Sequence, residues 1–242
     1  MSLSLVTLNI ERDKHLERIK PFLLERQPDV VCLQELVEDD IQFFEELLGA
    51  VCFFVPMTRM QTDRGFMTEG VGIFSRTGFA STSFMQLGGK EGDLTTYVDG
   101  TSEEKNESQR YVLAVADIEH EGETFRVATT HFPVTVHGET NDIQLGVVNS
   151  FLSKIAGLGE LVVTGDFNAP RGRTAFSLLA DHLTDNVPLE YDSSIDADLH
   201  RAGPLPYMVD GIFSTSGYRV SEVEMVCGLS DHCALAGFVE RV

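Results

Sequence analysis

The chain has 242 residues, 43% of them hydrophobic, with 18 Lys and Arg against 38 Asp and Glu, a formal net charge of −20. That length and apolar content suit one large globular domain over residues 1–242. No apolar segment approaches the ~20 residues of a bilayer span, which argues against stable membrane insertion. The charge repels polyanions and argues against broad backbone binding to long nucleic acid, although a bound divalent cation reverses the potential of an acidic cleft locally.

The amino terminus lacks a basic region followed by an apolar core and a small-residue cleavage site, so the cytoplasm is the expected location. Cys32, Cys52, Cys227 and Cys233 form no Cys-x-x-Cys pair, and two of them lie in apolar strand-like runs. All four are expected as reduced, buried thiols, with no structural zinc.

Residues 4–8 read as a first strand closed by Asn9. Leu16, Ile19, Leu23 and Leu24 keep helical spacing within 13–27, with Pro21 expected to kink or restart the helix and Pro28-Asp29 to end it. The apolar run 30–34 leads to Glu35. Residues 38–48 read as a second helix, with Ile41, Phe44, Leu47 and Leu48 on one face, and 51–55 and 71–74 as strands. From 86 to 109 the chain turns rich in Gly, Ser, Thr, Glu and Asp without apolar period, which predicts a long loop or mobile hairpin, either a cap over a cleft or a surface excursion.

Residues 111–118 and 124–130 alternate as paired strands around Glu121-Gly122-Glu123. Between 140 and 158, Ile143, Val147, Phe151 and Ile155 recur every four residues, which predicts an amphipathic helix capped by Thr140. The apolar run 161–164 reads as a buried strand ending in Gly165-Asp166-Phe167-Asn168-Ala169-Pro170. A short helix near 174–179 and strands at 207–214, 218–226 and 234–239 complete the chain. This mixture predicts an α/β or α+β sandwich with both sheets substantially buried.

Polar groups collect at the ends of these strands: Asn9, Glu35, His131, Asp166, Asn168, Asp210 and Asp231-His232. Phosphoester hydrolysis needs an activated water, stabilisation of the phosphoryl oxygens and usually a metal held by hard oxygen donors. Glu35 and Asp231 suit magnesium, and Asn9 adds a carbonyl or holds a metal-bound water. His232, oriented by Asp210, is one candidate general base, and Asp166 is the other. His131 is suited to protonate the leaving oxygen or donate to the phosphate, and Asn168 to orient the water or donate to a phosphoryl oxygen. Each of these residues has an ordinary reading as a turn, cap or strand-end group, and only the joint pattern favours chemistry.

Thr7-Leu8-Asn9-Ile10, Leu33-Gln34-Glu35, Thr130-His131-Phe132, Gly165-Asp166-Phe167-Asn168-Ala169-Pro170, Val209-Asp210-Gly211-Ile212-Phe213 and Ser230-Asp231-His232 occur in that order. With them the chain resembles the endonuclease/exonuclease/phosphatase superfamily along nearly its whole length. The resemblance implies a deoxyribonuclease I-like four-layer sandwich, with two packed mixed β-sheets flanked by helices. It also implies Mg2+- or Mn2+-dependent attack of water on a phosphoester without a covalent enzyme intermediate. Glu35 would then bind metal with Asn9 and Asp231 beside it, Asp210 and His232 would form the acid–imidazole pair, and His131, Asp166 and Asn168 would complete the site. Two weaker matches are Glu69, resembling the acid that orients the histidine matching His131, and Arg110, resembling a phosphate-facing arginine.

Basic patches interleaved with aromatics, lysine clusters for polyphosphorylated headgroups and a long hydrophobic insertion are all missing, so a small phosphorylated molecule, foremost a phosphodiester, is the expected substrate. A nuclease acting on DNA or RNA is the alternative, provided that folding gathers Arg59, Arg64, Arg76, Arg110, Arg171, Arg173 and Arg201 near the cleft. A non-catalytic binding module on the same fold is the alternative of another class.

Overall fold

A computed structural model describes residues 1–62 and 65–242. In chain order its elements are β1 (Ser2–Asn9), α1 (Leu16–Arg26), β2 (Val30–Val37), α2 (Ile41–Leu48), β3 (Val51–Thr62), β4 (Gly65–Ser75), β5 (Ser81–Gly89), α3 (Ser102–Ser108) and β6 (Arg110–His120). The second half adds β7 (Glu123–His131), α4 (Asp142–Ile155), β8 (Val162–Asp166), α5 (Thr174–Ala180), β9 (Thr184–Asp185), β10 (Asp210–Ser214), β11 (Tyr218–Val226) and β12 (Ala234–Arg241).

The strands form two mixed six-stranded sheets, ordered β11-β12-β1-β2-β4-β3 and β5-β6-β7-β8-β10-β9. Alternation along β1 shows why they stack. Leu3 and Leu5 face the core between the sheets with Val30, Cys32, Val71, Ile73, Val115 and Val163, whereas Val6 and Leu8 point outward to Ile19, Phe22 and Leu23 of α1 and Phe44 of α2. On the opposite outer face, Val147, Val148 and Phe151 of α4 and Phe176 and Leu179 of α5 close the core. Burial on both faces explains the near-continuous apolar runs of the central strands. The expected four-layer sandwich is the observed architecture.

Local departures have identifiable causes. Helix α1 runs unbroken through Pro21, which is exposed, so the carbonyl it leaves without an N–H partner meets water. Its buried residues are Ile19, Phe22 and Leu23, and Leu24 lies in solvent. The helix read over 38–48 is a 3-10 turn, Glu38–Asp40, followed by α2. The segment 86–109 is not a free loop: β5 extends into it, and α3 starts on a capping box in which Glu104 N donates to Thr101 Oγ1 and Thr101 N to Glu104 Oε2. Its middle is stitched to β3, with Arg59 N on Thr95 O at 2.9 Å, Tyr97 N on Arg59 O at 2.7 Å and Thr58 Oγ1 on Ser108 O at 2.9 Å. Helix α4 is capped by Asn141, which accepts from Gln144 N; Thr140 instead accepts from Ala175 N and ties α4 to α5.

The cysteine expectation fails for one pair. Cys227 and Cys233 form a disulfide, while Cys32 and Cys52 are free. Burial pushes the Cys32 thiol up to about 12 and the Cys52 thiol up as well. The disulfide was invisible to spacing because a bend between Val226 and Ala234, rather than a short motif, brings the two sulfurs together. Among the described residues no helix is long and apolar enough to cross a membrane.

Candidate active site

Three neighbouring strands of the second sheet end in register. His131 of β7 pairs with Asp166 of parallel β8, and Asp166 with Asp210 of antiparallel β10, so one row of the ladder carries an imidazole and then two carboxylates, with Asp166 in the middle. The row is rigid from below. Phe167 lies 5.2 Å from Phe132 and 5.0 Å from Phe213, ring centroid to centroid, in edge-to-face contacts that fill the core beneath the site. Gly165 at φ 145° approaches β7 so closely that a Cβ would run into the Thr130 carbonyl oxygen, which leaves glycine as the residue that fits.

Asp166 is the hub. Its Oδ2 accepts from Asn9 Nδ2 at 3.1 Å and lies 3.5 Å from His131 Nε2 and 3.7 Å from His232 Nε2; its Oδ1 accepts from Asn168 N at 2.9 Å. His232 Nδ1 meets Asp210 Oδ2 at 2.7 Å, and both residues are buried. Burial disfavours the charged imidazole, but Asp210, Asp166 and Asp231 outweigh it and hold the His232 pKa well above its ordinary value. Ser194, itself fully buried, fixes the Asp210 backbone by accepting from Val209 N and Asp210 N at 3.1 Å each.

The first sheet supplies the oxygen donors. Asn9 pairs with Gln34 across β1 and β2, and the next residue, Glu35, sits in a bulge of the β2–β4 ladder between Leu33 and Leu36 with φ 54°. A bulge re-aims one side chain, and here it brings Glu35 Oε1 to 3.3 Å from Asn9 Nδ2. Burial, and after it Glu11 and Glu35, push the Asp231 carboxyl up against the pull of His232, so Asp231 shares the field of that acidic group. Burial and Glu35 raise the Glu69 carboxyl to about 7, opposed by Arg12 and His131. Arg12 Nη1 lies 3.4 Å from Glu35 Oε2 and 3.2 Å from Glu69 Oε2. An all-oxygen donor set already balanced by a cationic side chain fits a hard divalent ion.

The sequence profile of the Endonuclease/Exonuclease/phosphatase family matches residues 6–232. The chain belongs to this family. No curated protein matches it by sequence. Among solved structures, it is similar to an endonuclease/exonuclease/phosphatase from Beutenbergia cavernae (19% identity, TM-score 0.76, covering 99% of this chain and 72% of that one). It is also similar to the human Nocturnin catalytic domain with bound sulfate (17%, 0.75, 100% and 94%). A third neighbour is zebrafish TDP2 complexed with a single-stranded DNA product (16%, 0.69, 99% and 99%).

The endonuclease/exonuclease/phosphatase fold brings Asn9, Glu35, His131, Asp166, Asn168, Asp210, Asp231 and His232 to one edge of the two sheets. The two weaker residues stand differently from expectation. Glu69 lies close enough to His131 for their charges to interact, but its hydrogen bond is with Arg12. Arg110 starts β6 at the rim, donates to Pro56 O at 2.8 Å and stacks on Phe84. Three of the other arginines have partners of their own: Arg171 is held by Asp185, Val187 O and Tyr191 O, Arg173 by Glu139 and Arg76 by Leu48 O. Arg64 lies outside the described residues.

Three residues near the site carried no motif. Arg12 follows Asn9 by three positions without any periodic signal. Tyr97 comes from the stitched segment; burial, countered by Lys105 and reinforced by Asp99, Glu69 and Glu35, pushes its phenol up. Gln144 is fully buried on the apolar face of α4 and donates to Pro133 O at 3.2 Å and Asn168 O at 2.7 Å, bridging the loops that follow β7 and β8. A lone amide one turn before Val147 and Val148 was its only sequence signal.

Proposed function

We propose that this chain is a divalent-metal-dependent phosphoesterase that hydrolyses a phosphodiester of a small phosphorylated molecule by direct attack of water. The observation that carries this reading is the cluster in which Asp166 touches Asn9, His131, His232 and Asn168 beside the oxygen donors Glu35 and Asp231. Magnesium or manganese fits that donor set, held by Glu35 and Asp231 with Asn9 alongside, and when bound neutralises charge on the phosphoryl oxygens.

The residues divide the proton work by their surroundings. His232, kept charged by Asp210, presents Nε2–H to a phosphoryl oxygen and stabilises the charge that develops there. Asp166 takes the proton of the attacking water. His131 donates to the leaving oxygen. Asn168 Nδ2 donates to Phe132 O at 3.0 Å and so holds the β7 and β8 ends together around the substrate. The sulfate bound in Nocturnin and the single-stranded DNA product bound in TDP2, whose backbone carries phosphates, support a phosphate group as the element recognised.

The test is hydrolysis of a chromogenic aryl phosphodiester with Mg2+ or Mn2+, with and without chelator, by the wild type and His232→Ala. Metal-dependent turnover lost in the variant is expected. Turnover that ignores the chelator, or survives intact in His232→Ala, rejects the reading. One catalytic domain over residues 1–242 is part of the proposal, and an active fragment from limited proteolysis would contradict it. The cytoplasmic location competes with the Cys227–Cys233 disulfide, since such bonds persist in oxidising surroundings; the bridge's state in thiol-blocked extracts decides between them.

A further inference from the structure

Arg12 has no part in the reaction as described, yet it occupies the electrostatic centre of the metal side. Its side chain is 26% exposed, against 21% for Glu35 and 12% for Glu69, and among the described residues it is the one Arg or Lys paired with either carboxylate. Neighbouring cations go elsewhere: Lys14 and His15 both pair with Glu11. The backbone places Arg12 there at a cost in conformation, because Glu11 and Arg12 are consecutive non-glycine residues at positive φ, 47° and 63°, with Glu11 N anchored on Asn9 Oδ1 at 3.1 Å.

Both oxygens of Glu35 are engaged, Oε1 by Asn9 Nδ2 and Oε2 by Arg12 Nη1. A divalent ion coordinates a carboxylate oxygen at about 2.0–2.6 Å and repels a guanidinium on the same oxygen. The two cations therefore compete for Glu35. A displaced Arg12 stays tethered three residues from Asn9 at the mouth of the site, and its planar fork of donors matches the oxygens of a phosphate.

We propose that Arg12 is an exchangeable counter-ion: it balances Glu35 and Glu69 until a divalent metal takes over Glu35, and it then turns to the phosphate of the substrate. This inference rests on the reading of Glu35 as a metal ligand. Its test is calorimetric titration of Mn2+ into the full-length wild type, Arg12→Gln, Arg12→Lys and Lys14→Gln, followed by titration of inorganic phosphate into each Mn2+-loaded protein. Arg12→Gln is expected to bind Mn2+ about 3- to 10-fold more tightly, the scale of two partly exposed ion pairs. Its loaded form should bind phosphate about 10-fold more weakly, through loss of a charge-assisted contact. Lys14→Gln should change neither by more than about two-fold, since an exposed charge that is not in contact acts only through screened solvent.

Arg12→Lys keeps the charge and covers the case in which Arg12→Gln does not fold; it should hold wild-type metal affinity while losing phosphate affinity through the missing fork. Unchanged or weaker Mn2+ binding by Arg12→Gln, an equal gain in Lys14→Gln, or unchanged phosphate binding by Arg12→Lys overturns the inference while leaving Glu35 as a ligand. A wild type that binds no Mn2+ overturns both.

Discussion

Asp210→Asn removes one charge from the buried pair and leaves its shape. The wild-type contact, His232 Nδ1 to Asp210 Oδ2 at 2.7 Å, is buried on both sides. A hydrogen bond to a charged group contributes about 1.5–3 kcal/mol net. If that stabilisation is expressed where His232 faces the developing phosphoryl charge, its loss lowers kcat about 10- to 150-fold. The pH profile must move too. Burial lowers the His232 pKa and Asp210 is the first group that raises it, so without Asp210 the imidazole sheds its proton at lower pH and the alkaline limb of kcat shifts downward. The assay is kcat and KM for an aryl phosphodiester between pH 5.5 and 9.5, with circular dichroism to verify folding. A folded variant with wild-type kcat and an unmoved alkaline limb would refute the role given to His232.

The same raised pKa makes a stability prediction. Protonated His232 stabilises the fold fully below its unfolded value of 6.5, and that contribution is lost as pH rises through the higher folded value; urea unfolding should therefore show the gap between wild type and His232→Gln shrinking at alkaline pH, and a constant gap contradicts the assignment. Gln144→Ala leaves the Pro133 and Asn168 carbonyls without their donor, so stability should fall by about 1–3 kcal/mol and kcat should fall more than KM rises; a change in KM alone would remove Gln144 from the support of the two loops. Phe167→Ala opens a cavity under Asp166 and should cost about 3–5 kcal/mol by denaturant titration, with a cost under about 1 kcal/mol showing that the aromatic cluster repacks. Reducing Cys227–Cys233, which encloses Asp231 and His232, should lower stability by about 2 kcal/mol and slow turnover, and a Cys227→Ser, Cys233→Ser double variant that matches the oxidised protein in both would leave the bridge without effect on the site.

Strand identity and strand-end chemistry were legible in the amino acids themselves, because both are local. A strand buried on two faces must be apolar throughout, and a polar residue at the margin of such a run must find polar partners; this picked out Asn9, His131, Asp166 and Asp210 before any partner was known. The six ordered motifs then sufficed to reach the family. Turn chemistry was local too, and Thr101-Ser102-Glu103-Glu104 carried the capping signal of α3 within a segment read as loop.

Tertiary structure decided everything that depends on register and closure. Asn9 reaches Asp166 across 157 residues, and no periodicity within β1 or β8 determines which side chain of one meets which of the other. The bulge that aims Glu35, the stitching of 95–97 onto β3, the meeting of Cys227 with Cys233 and the partners that hold Arg171 and Arg173 all arise from how separate elements pack. Arg12 is the sharpest case. In the sequence it is one charged residue in a polar turn, and only the convergence of β2 and β4 places Glu35 and Glu69 on either side of it. Local sequence selects which polar groups stand at the margins of the core strands; the long-range contacts that offset chain entropy select which of those groups meet.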